Sequence, residues 1–207
     1  MHPAALRWQE LLGRLDRWFE NARAQHPGVI PCHKGCSACC HGPFDITVAD
    51  GLLLREAIGA LPEAERATVR QRGLALLARI RRLAPDWRAP WDLQALEEHR
   101  FDAISEELAA EPCPLLDDEG ACRVYAHRPL VCRMMGLPMM TAAGIVLENA
   151  CPIQEQFPGY AAIDPQLFDL EALEAIEKTC LEDAAVALFD SPLHHGYETT
   201  IAVIAAE

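Results

Sequence analysis

The sequence predicts a mainly α-helical fold with one or two short β-hairpins, a helical scaffold (α+β overall) around a cysteine-ligated metal centre. Three observations predict it. Apolar residues recur at spacings of three and four through most of the chain, the period of amphipathic helices. Four of the nine cysteines fall within nine residues, Cys32, Cys36, Cys39 and Cys40, spaced C-x-x-x-C-x-x-C-C. Four more, Cys113, Cys122, Cys132 and Cys151, stand among turn signals and short apolar runs that read as hairpins and a short helix.

Taken in order, residues 3–25 form an amphipathic helix, with Ala5, Trp8, Leu12, Leu15, Phe19 and Ala22 on one face and His26-Pro27-Gly28 ending it. This helix reads as a packing element. Pro31 suits a first helical turn and Gly42-Pro43 stops one, so the cysteine stretch between them is expected to be helical. At about 100° per residue, Cys36 and Cys39 lie within roughly 40° of Cys32, while Cys40 is turned by about 80°. Three thiols, with Cys40 as a fourth, would then line one face. Thr47 with Asp50 three residues on reads as an N-terminal cap for a helix to about residue 59. Pro62 opens another, with Val69, Gly73, Leu76, Leu77, Ile80 and Leu83 on one side. Residues 84–90 connect it to a further helix marked by Leu93, Leu96, Phe101, Ile104 and Leu108.

The character changes at Cys113. The runs 113–116 and 121–125 flank the turn Asp117-Asp118-Glu119-Gly120, a small hairpin that brings Cys113 and Cys122 together. Pro129 starts a short helix carrying Cys132. A second hairpin spans Leu137 to Leu147, turning at Ala142-Ala143-Gly144. Asp164 and Pro165 cap a last long helix whose buried stripe is Leu170, Leu173, Ile176, Cys180, Ala184 and Leu188. The tail from Tyr197 to Glu207 is apolar and fits helix or strand. The expected organisation is one domain over 1–207: cysteine motifs at 30–41 and 113–152, a helical insertion at 44–110 and a helical region at 164–207.

With 18 basic and 31 acidic residues the net charge is −13. That disfavours a nucleic-acid backbone or an anionic membrane as the main partner and leaves a basic protein as the charge-matched one. The start of the chain lacks the unbroken apolar segment of a secretory signal, and no apolar run nears a membrane span. The expected compartment is the cytoplasm, where thiols stay reduced and clustered cysteines mean metal or redox chemistry. Neighbours Cys39 and Cys40, with Cα atoms about 3.8 Å apart, are too close for an unstrained disulfide.

Eight cysteines are therefore candidate metal ligands: 32, 36, 39, 40, 113, 122, 132 and 151. Thiolate-rich sites suit zinc or iron, the latter also as an iron–sulfur cluster such as [4Fe–4S]. Either one four-thiolate centre or two centres sharing all eight fits. For one centre, Cys36 with Cys39 or Cys40 is completed by the later cysteines. Cys180, alone on a helical stripe, reads as core. His33, His41 and His127 flank the cysteines, and His194-His195 reads as surface. Arg128 and Arg133 bracket Cys132, and Arg133 is a candidate donor to a cluster's sulfurs. Met134, Met135, Met139 and Met140 suit irregular core gaps better than copper(I). No phosphate-binding loop, nucleophile elbow or calcium loop is present, and no nucleophile–base–acid set can be assembled.

The run C-x-x-x-C-x-x-C-C at 32–40, with Cys113-Pro114-Leu115-Leu116, Gly120-x-Cys122-x-x-Tyr125, Arg128-Pro129-x-x-Cys132-Arg133 and a late Cys151, resembles the YkgJ-type cysteine-cluster family. The resemblance covers roughly residues 30–152, interrupted by the helical block. It implies a zinc- or iron-chelating domain with a metal role for those eight cysteines. A related cluster occurs in lysine N-methylases acting on flagellin, thought to use an iron–sulfur centre. The reading is a cytoplasmic metal-binding protein whose centre joins two chain segments. The alternatives are a metal- or cluster-dependent redox or group-transfer enzyme and a metal-trafficking protein.

Overall fold

The computed structural model describes residues 1–97, 99–147, 149, 151–168 and 170–207, with the side chains at 170–172, 174 and 175 left aside. Helix α1, Pro3–Gln25, begins at a proline whose missing N–H is no loss in a first turn. All six stripe residues expected on its face are buried. That face touches three cores in succession: Trp8, Leu11 and Leu12 in one, Leu15 in a second, Phe19 and Ala22 in a third. The third also holds Cys32 and Cys151, so α1 runs from the scaffold to the cysteines.

Strand β1, Asp45–Thr47, leads into helix α2, Val48–Gly59. The Thr47 hydroxyl accepts the Asp50 N–H at 3.2 Å, the cap expected from the sequence. Helix α2 is apolar almost all round because it is enclosed: Leu53 and Leu54 are both fully buried, each adding about 1.5–3 kcal/mol relative to exposure. Helix α3, Glu63–Leu83, buries Val69, Gly73, Leu76, Leu77 and Ile80, while Leu83 at its end is exposed. The helix expected over residues 93–108 is broken. A single 3₁₀ turn at Leu93–Ala95 is followed by helix α4, Arg100–Glu107, because Leu96 is extended and His99 takes the left-handed conformation.

The largest correction concerns the cysteine stretch. Residues 31–41 are not helical. Two tight turns replace the helix, closed by Cys36 N–H to His33 O (3.0 Å) and Cys40 N–H to Ser37 O (2.9 Å). Gly35 has φ 96°, which a helix forbids and the third position of a turn accepts.

The first hairpin is reduced to one bridge, Leu116 opposite Cys122, with Asp117 N–H to Ala121 O at 2.8 Å. Helix α5, Leu130–Met134, starts after Pro129 and carries Cys132 as expected. The second hairpin turns at 141–144, with Val146 bridged to Met140. Strand β2, Met139–Met140, pairs in parallel with strand β3, Gln166–Leu167. That pairing overrides the expected cap: Asp164 and Pro165 lead into β3, and helix α6 starts only at Leu170 and runs to Phe189. In α6, Cys180 and Ala184 are buried and Ile176 is exposed; the Leu170 side chain lies outside the described residues.

The tail is both strand and helix. Strand β4, Glu198–Thr200, pairs antiparallel with β1, and helix α7, Ile201–Ala206, packs on α3. Ile201 N–H bonds Phe44 O at 3.0 Å, which draws the chain's end beside the cysteine stretch. Among the described residues no helix is long and apolar enough to cross a membrane.

Candidate metal centre

Seven of the eight candidate cysteines line one cavity of about 90 Å³: Cys32, Cys36, Cys39, Cys40, Cys113, Cys122 and Cys132. The eighth, Cys151, reaches the same group through a thiol hydrogen bond to Cys32. Backbone pairing achieves this convergence across the intervening helical block. Cys113 N–H bonds Cys40 O at 2.9 Å, Gly42 N–H bonds Glu111 O at 2.6 Å, and His41 bridges Pro112. The walls are apolar, with Phe19 from α1, Phe44, Leu115, Leu116 and Ile201. All nine cysteines are free thiols, and Cys180 is buried in the core with Trp8 and Leu53.

As they stand, no three His, Cys, Asp or Glu side chains among the described residues are gathered tightly enough to grip one ion. The thiols line the cavity wall. The donor set fits a soft metal: cysteine sulfur dominates, and among the described residues Glu20 is the one carboxylate lining the cavity.

Burial sets the electrostatics. It pushes the Cys32 thiol up to about 12, with Cys151, Cys39 and Cys36 adding to the effect. It pushes Cys113 up to about 12 and raises Cys122, Cys132 and Cys151. Cys39 and Cys40 divide a shared hydrogen bond: Cys40 donates to the Cys39 sulfur, which holds Cys39 low and Cys40 high. Buried thiols of this kind stay protonated until a cation replaces the proton.

Arg128 is the cation beside them. It lowers Cys32, Cys39 and Cys122, and its guanidinium lies 4.2 Å from the Tyr125 ring centroid. Asp16 of α1 holds it at 3.0 Å and also pairs with Arg133. Arg133, the candidate cluster donor, lines the cavity but gives its guanidinium to Asp16, Arg128 O (2.9 Å) and Ala126 O (3.0 Å). Asp16 and Phe19 were not legible as site residues: α1 looks like pure packing, and the partners of Asp16 lie more than a hundred residues away.

Two supports position the cysteines. Buried Asp50 accepts Trp8 Nε1–H at 2.7 Å and Leu130 N–H at 3.1 Å, which ties α1 and α2 to the start of the Cys132 helix. Burial outweighs those bonds and raises its carboxyl to about 6. Asn149 donates to Leu137 O at 2.7 Å and to Met134 O, and accepts Gly136 N–H on its backbone at 2.8 Å, which fixes the loop under Cys32. Of the histidines, exposed His33 lines the cavity; His41, His127, His194 and His195 do not. Met139 is fully buried against Leu15 and Phe168, while Met135 faces the cavity.

No curated protein and no solved structure matches the chain. A family model described as "CxxCxxCC: Putative zinc- or iron-chelating domain" matches residues 31–180. The match begins at the first cysteine turn and takes in the helical block, both cysteine sets and α6 as far as Cys180. It covers well over half of the 207 residues, and the chain belongs to the CxxCxxCC family.

Proposed function

We propose that the chain is a metal-binding protein that chelates zinc or iron in the cysteine cavity, as a thiolate-ligated zinc or iron–sulfur centre. One observation carries this reading: thiols from residues 32–40, 113–122 and 132 face a single cavity, although the helical block separates the first set from the others. Cys36, Cys39 and Cys40 would hold the centre from the turns; Cys113, Cys122 and Cys132 would complete it from the later segments. The bound metal supplies a positive charge that stabilises thiolates where burial alone favours thiols. The chain's own contribution is to collect the sulfurs, and Arg128 offsets part of their charge. Because the ligands come from distant segments, binding contributes to folding.

Nine free cysteines suit a reducing compartment, which supports a cytoplasmic site of action. The charge of −13 supports a basic protein, rather than nucleic acid or membrane, as partner. A catalytic reading, redox or methylase-like group transfer, has one observation in its favour. Eight thiols exceed the four that a closed tetrahedral ion takes, which leaves sulfurs or coordination positions for chemistry.

Anaerobic purification followed by elemental analysis and a visible spectrum tests the proposal. Zinc in a colourless protein, or iron and sulfide in a brown one, is the expected outcome. A chain that retains neither metal and takes up neither on reconstitution contradicts it.

A further inference from the structure

A second cavity, of about 340 Å³, adjoins α5 and shares only Met135 with the cysteine cavity. Its walls are largely aliphatic: Ile46 of β1, Leu130, Val131 and Met134 of α5, and Leu147. Every charged side chain that lines it, among the described residues, is a carboxylate: Asp45, Asp50 and Glu198. Buried Asp50 is already satisfied by Trp8, Thr47 and the Leu130 N–H. Asp45 and Glu198 are exposed, and the pairing of β1 with β4 sets both on one face. Thr47 lies opposite Glu198, and Asp45 stands two residues before Thr47, so the two carboxylates are diagonal neighbours. Among the described residues neither has an ion pair or accepts a hydrogen bond. Burial raises the Glu198 carboxyl, and Asp45 and Asp92 add to the effect.

Asn149 gives an independent sign of a ligand. It lines the same cavity and is only 6% exposed. Its Nδ2 donates to Leu137 O and Met134 O, but its Oδ1 is buried with no donor. Buried polar groups are ordinarily paired, so an orphaned acceptor on a cavity wall marks a place for a ligand's N–H.

We infer that this cavity is a binding site for an aliphatic amine in its ammonium form, recognised by Asp45, Glu198 and Asn149 Oδ1. An ammonium carries three N–H donors and no acceptor. The cavity offers three acceptors that lack a donor, the two carboxylates and the Asn149 oxygen. An anionic ligand would meet only like charge here. A bare inorganic ion would leave the aliphatic walls unused, whereas an alkyl chain packs on Leu147 and on Met134, whose flexible side chain adapts to its shape. The site is separate from metal chelation and does not depend on it.

The test titrates the full chain, as purified, with n-pentylammonium chloride in a calorimeter at neutral pH. Saturable binding of one amine per chain is expected, with 1-pentanol and pentanoate weaker by about tenfold or more. The double variant Asp45→Asn, Glu198→Gln changes two exposed side chains and keeps the fold. It should weaken the amine by about tenfold or more and leave metal content unchanged. Absence of amine binding, equal affinity for 1-pentanol, or full affinity in the double variant overturns the assignment. Loss of metal together with the amine in that variant would place the amine at the cysteine cavity and overturn it equally.

Discussion

Gly136 stands directly against Cys32. A Cβ added at position 136 would lie 2.1 Å from the Cys32 sulfur, and the backbone there has φ 92°. The sulfur therefore occupies the space that any other residue's side chain would need. Gly136→Ala should expel the Cys32 thiol from its place and lower metal content. Gly144 is the matched control, since its φ is 81° and nothing lies within 4 Å of an added Cβ. Both alanine variants incur the left-handed backbone cost of about 1–2 kcal/mol. Elemental analysis should show metal loss for Gly136→Ala alone.

Arg128 lowers the neighbouring thiols, and Cys39 benefits both from it and from the Cys40 hydrogen bond. In metal-free, reduced protein, Cys39 should be the first cysteine alkylated at neutral pH, and buried Cys132 among the last. Arg128→Met removes the cation, the smaller of the effects that lower Cys39 beside the Cys40 hydrogen bond, and should slow its alkylation. Peptide mass mapping of a time course checks both.

Asp50 gives a pH dependence of stability with a definite sign. Its folded carboxyl is raised to about 6, so the folded state binds the proton more tightly than the unfolded chain does. Stability attributable to this group is full below about pH 4 and lost as pH rises through about 6. The rise from the ordinary carboxylate value to about 6 corresponds to about 3 kcal/mol. Asn at position 50 keeps an acceptor for Trp8 and Leu130 without the charge. In urea unfolding, Asp50→Asn should gain on the parent steadily between pH 4 and 7. A constant difference would contradict the assignment.

If the proposed centre is held by these thiols, Cys36→Ser and Cys132→Ser should each lower metal content and melting temperature together, because a metal shared by them would join the first turns to α5. Cys180→Ala touches only the core and should cost about 1 kcal/mol with metal content unchanged.

What the sequence made legible was local. Pro3 and the stripe along α1, Thr47 capping α2, and Pro129 before the Cys132 helix are set by residues a few positions apart. The eight cysteines could be singled out because their density is chemical rather than geometric. What stayed hidden depends on partners far along the chain. The stretch 32–40 gives up its helix for turns that send Cys40 into one core while Cys32 packs in another. Asp164-Pro165 loses its capping role to a strand paired with β2. Asp16 becomes a site residue only because Arg128 and Arg133 fold back onto α1.

X-ray absorption at the metal edge of the anaerobically purified chain examines the sulfur cage itself. A first shell of sulfur scatterers, at about 2.3 Å if the metal is zinc, that loses sulfurs in both Cys36→Ser and Cys132→Ser is the predicted result. A shell of oxygen and nitrogen only, indifferent to both substitutions, would contradict the account.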